Sequence, residues 1–248
     1  MLTKGIKRCL CLVLWVFCFV VVLCAAGEIF LRCTGYKPSE FASDVVLGWT
    51  GTHGNHHSEE DPSVTEHVWN NGQRRSRENQ YERRPKRVAL FGDSYTYGAG
   101  VRDESTFCWK LHDLCPEATF DNYAVGGYGP YQCYLSIRDI LGREKYDLVI
   151  YCVWNCTLFR NIHQSGDNRL DYYMSPWVEL KNGQLVEHPP EIMPTWARHI
   201  YLLSFIKRVQ MGILSATDDI QPIEYNRRVF TILLKRVIAE AERYQVKS

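Results

Sequence analysis

The triplet Gly92-Asp93-Ser94 follows the β-rich run Arg87-Val88-Ala89-Leu90-Phe91 and precedes Tyr95-Thr96-Tyr97-Gly98-Ala99-Gly100. A serine at the carboxyl end of a strand, just before a short helix, projects its hydroxyl into the crevice above a sheet. Its own N–H then faces a developing oxyanion at a helix N-terminus. The triplet alone also reads as an ordinary helix N-cap with Asp93 in a turn. Two further segments weigh against that bland reading. Asn122-Tyr123-Ala124-Val125-Gly126-Gly127-Tyr128-Gly129 closes a second β-rich run on glycine, where bare backbone can approach a substrate. Trp154-Asn155 closes a third run and offers a side-chain amide. A hydroxyl, a backbone N–H and an amide at three successive strand ends make a nucleophile with an oxyanion hole, suited to acyl transfer from an ester.

In this order and spacing the three segments resemble the SGNH, or GDSL-type, esterases and acyl hydrolases. The resemblance covers residues 87–160 well and extends loosely to 245. It implies Ser94 as nucleophile, Gly92 and Asp93 as its support, Gly127 as backbone oxyanion donor and Asn155 as side-chain donor. The run Gly100-Val101-Arg102-Asp103-Glu104-Ser105-Thr106-Phe107 is similar to a membrane-anchored bacterial subgroup of the family. The expected substrate is an acyl ester, with O-acetyl groups on envelope polysaccharides as the candidate class; no cofactor and no metal are expected. Two positions depart from the family pattern. Cys156 stands where an aspartate usually follows the asparagine, and none of the 8 histidines has an aspartate three residues before it. The closing Asp-x-x-His block that supplies the general base is therefore expected beyond Ser248, or else the protein is a degenerate relative. The stakes are large. Loss of serine or base costs a serine hydrolase about a million-fold in turnover, and oxyanion donors alone leave roughly a thousand-fold over water. His163, His188 and His199 are the remaining candidates for a base.

Positioning these groups requires strands alternating with helices. The pattern predicts strands over 87–91, 119–125 and 147–153, and helices over 105–114 and 130–141, the second with proline in its first turn. Further helices are expected over 195–211 and 222–244, the latter with Val229, Phe230, Leu233, Leu234, Val237, Ile238 and Ala241 as its apolar stripe. The proline-punctuated stretch after Asn155 is expected to lie over the top edge of the sheet. Together these elements predict an α/β fold: a three-layer α/β/α sandwich around a parallel, flavodoxin-like sheet, C-terminally incomplete as given.

The rest of the chain bounds the setting. The formal net charge of +1 speaks against nucleic acid as a partner, which would want a strongly basic domain. Cys9 to Ala26 is a run of 18 apolar residues without a charge, about 27 Å of helix. Lys4, Lys7 and Arg8 precede it, so the N-terminus is expected in the cytoplasm and everything after about residue 32 outside. An uncleaved anchor in the lipid bilayer is favoured over a signal peptide cleaved after Cys24-Ala25-Ala26, because signal cores usually run 7–15 residues. Three segments result: 1–32, cytoplasmic N-terminus and anchor; 33–86, a juxtamembrane extension; 87–248, the hydrolase-like domain. The extension carries His53, His56, His57 and His67, a weak metal candidate, and a basic stretch at Arg74, Arg75, Arg77, Arg83, Arg84, Lys86 and Arg87. That stretch is expected to be a solvated collar. Cys33, Cys108, Cys115, Cys133, Cys152 and Cys156 are candidates for disulfides outside the cytoplasm.

Two readings compete with the ester hydrolase. One is a catalytically inactive, membrane-tethered relative that binds a partner in the same crevice. The other is an O-acyltransferase using the same serine with a sugar hydroxyl as acceptor.

Overall fold

The computed structural model describes residues 4–36, 38, 42–58, 61–154, 160, 175–192, 194–217 and 222–246. The chain is a mixed α/β protein behind one long N-terminal helix, α1 (Lys4–Cys33). Within α1, Arg8–Cys33 is long and apolar enough to cross a membrane, and its side chains are exposed along most of that length.

The centre is a three-stranded parallel sheet of β5 (Lys86–Phe91), β6 (Ala118–Asn122) and β7 (Leu148–Tyr151), in the order β6-β5-β7. Register places Leu90 beside Asn122 and beside Ile150. All three strands thus end at one level. Side chains on β5 alternate between two apolar clusters, as the pleat requires. Ala89 and Phe91 pack with α4 (Pro130–Arg143), Val149 and the α6 (Ile223–Arg243) residues Val229, Leu233, Val237 and Ala241. Val88 and Leu90 pack with Ala118, Phe120 and Cys108 of α3 (Phe107–Leu114). Only part of the α6 stripe is covered: Leu234 and Ile238 stay more than a third exposed.

The remaining strands come as hairpins. β1 (Ala42–Asp44) pairs with β2 (Gly48–Thr50), and β3 (Gly54–His57) pairs with β4 (Thr65–Val68), both antiparallel. β8 (Trp177–Lys181) and β9 (Gln184–His188) join through Asn182 and Gly183, both at positive φ as a tight two-residue hairpin turn needs. Val178, Leu180 and Leu185 join the cluster of α4 and α6, and Tyr131 Oη donates to Glu187. The helix expected over 195–211 is broken at Ile200 into a 3-10 turn, Thr195–His199, and α5 (Tyr201–Thr217).

The segment before residue 87 is woven into the body. Trp49 is fully buried, donates from Nε1 to Gly126 O at 3.0 Å and meets Tyr128 edge-on. The backbone N–H of Arg74 donates to Asn122 O, joining the extension to the sheet edge. The solvated-collar reading fails for Arg74 and Arg77, which are 0% and 2% exposed. Arg74 pairs with Asp103 at 2.9 Å and Arg77 with Asp121 at 2.8 Å. Arg87 reaches Asp121 and Glu144. Buried guanidinium groups demand such partners, and the carboxylates that satisfy them come from distant parts of the chain.

Candidate active site

Ser94 begins a single helical turn, α2 (Ser94–Tyr97), directly after β5. Asp93 caps it: its side chain accepts the Tyr95 N–H at 3.0 Å. Gly98 closes the turn in the left-handed conformation and donates its N–H to Ser94 O. The turn folds back so tightly that a Cβ on Gly92 would stand 2.1 Å from Thr96 Oγ1 and 3.1 Å from Cys152 O. Glycine is thus required there by close approach. Asp93 is buried beneath the turn while Ser94 remains partly exposed.

The other two strand ends are tied to this turn. Val125 N donates to Gly92 O at 3.3 Å, and Asn122 Nδ2 donates to Thr96 O at 3.0 Å, so the loop after β6 lies against the Ser94 turn. Gly127 sits in that loop at φ 82°, a conformation glycine adopts without strain. On the other side Cys152 N donates to Phe91 O, and Trp154 stacks on Tyr95 with ring centroids 5.0 Å apart. Both rings are largely exposed beside Ser94. Ser94 and this ring pair thus lie beyond the carboxyl ends of β5 and β7, the side of such sheets where ligands usually bind. Asn155 and Cys156 lie outside the described residues, as does His163.

Sequence reasoning overlooked two supports. Arg160 donates from Nη1 to Tyr128 O at 3.4 Å and stands 3.9 Å from Asp93 Oδ2, bridging the first and second segments. Nothing in its local sequence marks it. The second is the pairing of His67 Nδ1 with Asp103 Oδ2 at 2.5 Å, joined by Arg74. Together with Glu66, which accepts the Gly100 N–H at 2.9 Å, it fixes the turn that follows α2. An Asp–His pair built across 36 residues carries no local spacing signal.

Three other histidines engage neighbours elsewhere. His53 and His56 meet the carbonyls of Val68 and Thr52, and His188 bonds Glu179 while stacking on Trp177. Among the described residues no group of three or more His, Cys, Asp or Glu is placed to hold a metal. Cys33, Cys108, Cys115, Cys133 and Cys152 are free thiols. Burial pushes the Cys152 thiol up, with a smaller opposing effect from Thr96, so next to Ser94 it stays protonated and a poor nucleophile. A cavity of about 410 Å³ bounded by Leu47, Thr50, His53, Tyr123, Tyr128 and Arg143 does not include Ser94 or Gly127.

No family model matches the chain, and no curated protein matches it.

Proposed function

We propose that the protein is a membrane-anchored serine ester hydrolase of the SGNH type, acting on ester-linked acyl groups outside the cytoplasm. In this reading the parallel sheet is the core of a three-layer, flavodoxin-like sandwich, and α1 spans the bilayer with its N-terminus in the cytoplasm. The observation that carries it is the convergence on one turn of three strand ends: Ser94 at the head of α2, the Gly127 loop bonded through Val125 to Gly92, and Trp154 stacked on Tyr95. Ser94 Oγ attacks the acyl carbonyl, and the C–O bond to the alcohol breaks as the acyl group passes to the serine. Water then releases the acid. The Ser94 and Gly127 N–H groups and the Asn155 amide hold the oxyanion. The base that takes the Ser94 proton is not assigned to a described residue. O-acetylated glycan is the substrate class that follows from the family analogy, and transfer to a sugar hydroxyl would use the same acyl-serine.

The test is turnover of p-nitrophenyl acetate by the full-length protein in detergent or vesicles, beside Ser94→Ala. Loss of at least a thousand-fold in the variant, with unchanged unfolding, supports the assignment. Equal activity in both sinks the nucleophile. Release of acid in the presence of added glycan separates hydrolysis from transfer.

A second reading is favoured by one observation: His53, His56, His67 and His188 each hold another partner. A crevice with no base would bind its ligand without turning it over, and Ser94→Ala would then leave ligand affinity intact.

A further inference from the structure

We propose that α5 is a second point of membrane contact, an amphipathic helix whose apolar stripe beds into the boundary between headgroups and acyl chains beside the exit of α1. The proposal rests on reading α1 as a membrane span. Along α5, Leu202, Phe205, Ile206, Val209 and Ile213 recur at i, i+3, i+4, i+7 and i+11, a single face of a helix. Phe205, Ile206 and Val209 are 40%, 52% and 46% exposed. Ser204 and Lys207 lie on the opposite side and hold the protein through polar bonds, while Phe205 at the edge of the stripe also meets Tyr36 edge-on. Ser204, fully buried, bonds the Tyr36 hydroxyl at 2.9 Å, and Lys207 pairs with Glu191 at 2.9 Å. A soluble helix would present the reverse arrangement.

The attachment of α5 to α1 sets the level at which the stripe begins. Glu28 accepts the N–H groups of Tyr201 at 3.1 Å and Leu202 at 2.8 Å, capping the start of α5. Arg32 pairs with Glu28, donates to His199 O and lies over the Tyr201 ring. The charge at the far end of an apolar span is thereby satisfied by the first turn of another helix. Leu202, on the stripe, packs toward Gly27, on the membrane side of Glu28, while Ser204 meets Tyr36, two turns nearer the body. In the proposed arrangement the stripe lies against the bilayer at the level where Ile29 and Phe30 of α1, both more than 60% exposed, meet lipid. Trp196, 66% exposed in the 3-10 turn just before α5, is the residue type that settles at the headgroup level.

The experiment uses the full-length protein in phosphatidylcholine/phosphatidylglycerol vesicles containing a phospholipid with a diazirine in its acyl chain. After illumination, lipid adducts are mapped by mass spectrometry. Adducts are expected on α1 and on the 205–213 segment, and absent from Leu234 and Ile238 of α6, which are exposed apolar residues far from α1 in the chain. Val209→Glu should reduce α5 adducts at least tenfold and leave those on α1 unchanged. Adducts on α1 with none on α5 would overturn the proposal while leaving the anchor intact. Adducts on neither helix would overturn the anchor and the proposal together. Adducts on α5 undiminished by Val209→Glu, or photocrosslinks from p-benzoylphenylalanine at Val209 to a second copy in place of lipid, would overturn it as well.

Discussion

Arg77 and Asp121 meet at 2.8 Å inside the protein, each 2% exposed, and come from a segment before the sheet and a strand within it. The guanidinium also reaches Phe120 O and Gln80 O, so a single side chain pins residues 76–80 to β6. Removing one partner of a buried pair costs about 3–5 kcal/mol when the other is left alone; after loss of Arg77, Asp121 keeps Arg87 and Tyr146. Arg77→Met should therefore lower unfolding stability in urea titration by somewhat less, about 2–3 kcal/mol. Asp121→Leu, which takes a partner from Arg77, Arg87 and Tyr146 together, should cost more than Arg77→Met. A single variant within about 0.5 kcal/mol of wild type would show the pair to be dispensable.

The acid limb of stability should carry a signature of His112. Burial first, then the neighbouring Arg84 guanidinium, hold its imidazole below the ordinary 6.5, against an opposing pull from Glu82. The unfolded chain therefore takes up this proton more readily than the native one. The contribution of His112 is fully present above about pH 6.5 and is lost as pH falls through the folded value. Comparing urea unfolding of wild type and His112→Gln from pH 7.5 to 5 checks the sign: the wild type should lose stability faster as pH falls.

Gly92→Ala tests the close packing of the Ser94 turn. The added Cβ would fall 2.7 Å from Thr96 Cβ, and neither it nor the Cys152 carbonyl can move without shifting α2 or β7. Overpacking of this kind costs about 1–3 kcal/mol. Ester turnover should fall at least tenfold in the folded fraction, because the turn that aims Ser94 must open. Unaltered turnover would mean that α2 does not position the nucleophile.

Asp93 can be separated from the chemistry by two substitutions. Asp93→Asn keeps an acceptor for the Tyr95 N–H and should leave thermal unfolding nearly unchanged, whereas Asp93→Ala should cost about 1 kcal/mol, the usual value of an N-cap. If Asp93→Asn loses as much stability as Asp93→Ala, the 3.9 Å proximity of Arg160, and not the cap, is what matters.

The parallel strands are legible in the sequence because each is a short β-rich run, two of them followed by glycine: Gly92 after β5 and Gly126-Gly127 after β6. Strand and helix limits differ from the pattern by a few residues, since Tyr123 to Val125 already turn away to meet Gly92. The hairpins β1 to β4 escape sequence reading because strands of three or four residues are too short to show alternation. Arg74 and Arg77 read as surface charge for a physical reason: their carboxylate partners are set by tertiary contact, and no local pattern announces Asp121 across 44 residues. The stack of Tyr95 on Trp154 is likewise invisible until β5 and β7 are neighbours.

The short path from α1 to the body has a consequence for where the crevice can work. Eight residues separate Cys33 from Ala42, a leash of at most about 30 Å when fully drawn out. Within that stretch Tyr36 bonds Ser204 of α5. With α1 in a bilayer, the crevice patrols a thin layer at fixed altitude and searches in two dimensions. It meets molecules that lie on or near the membrane surface, and those more than a few tens of ångströms above it pass out of reach.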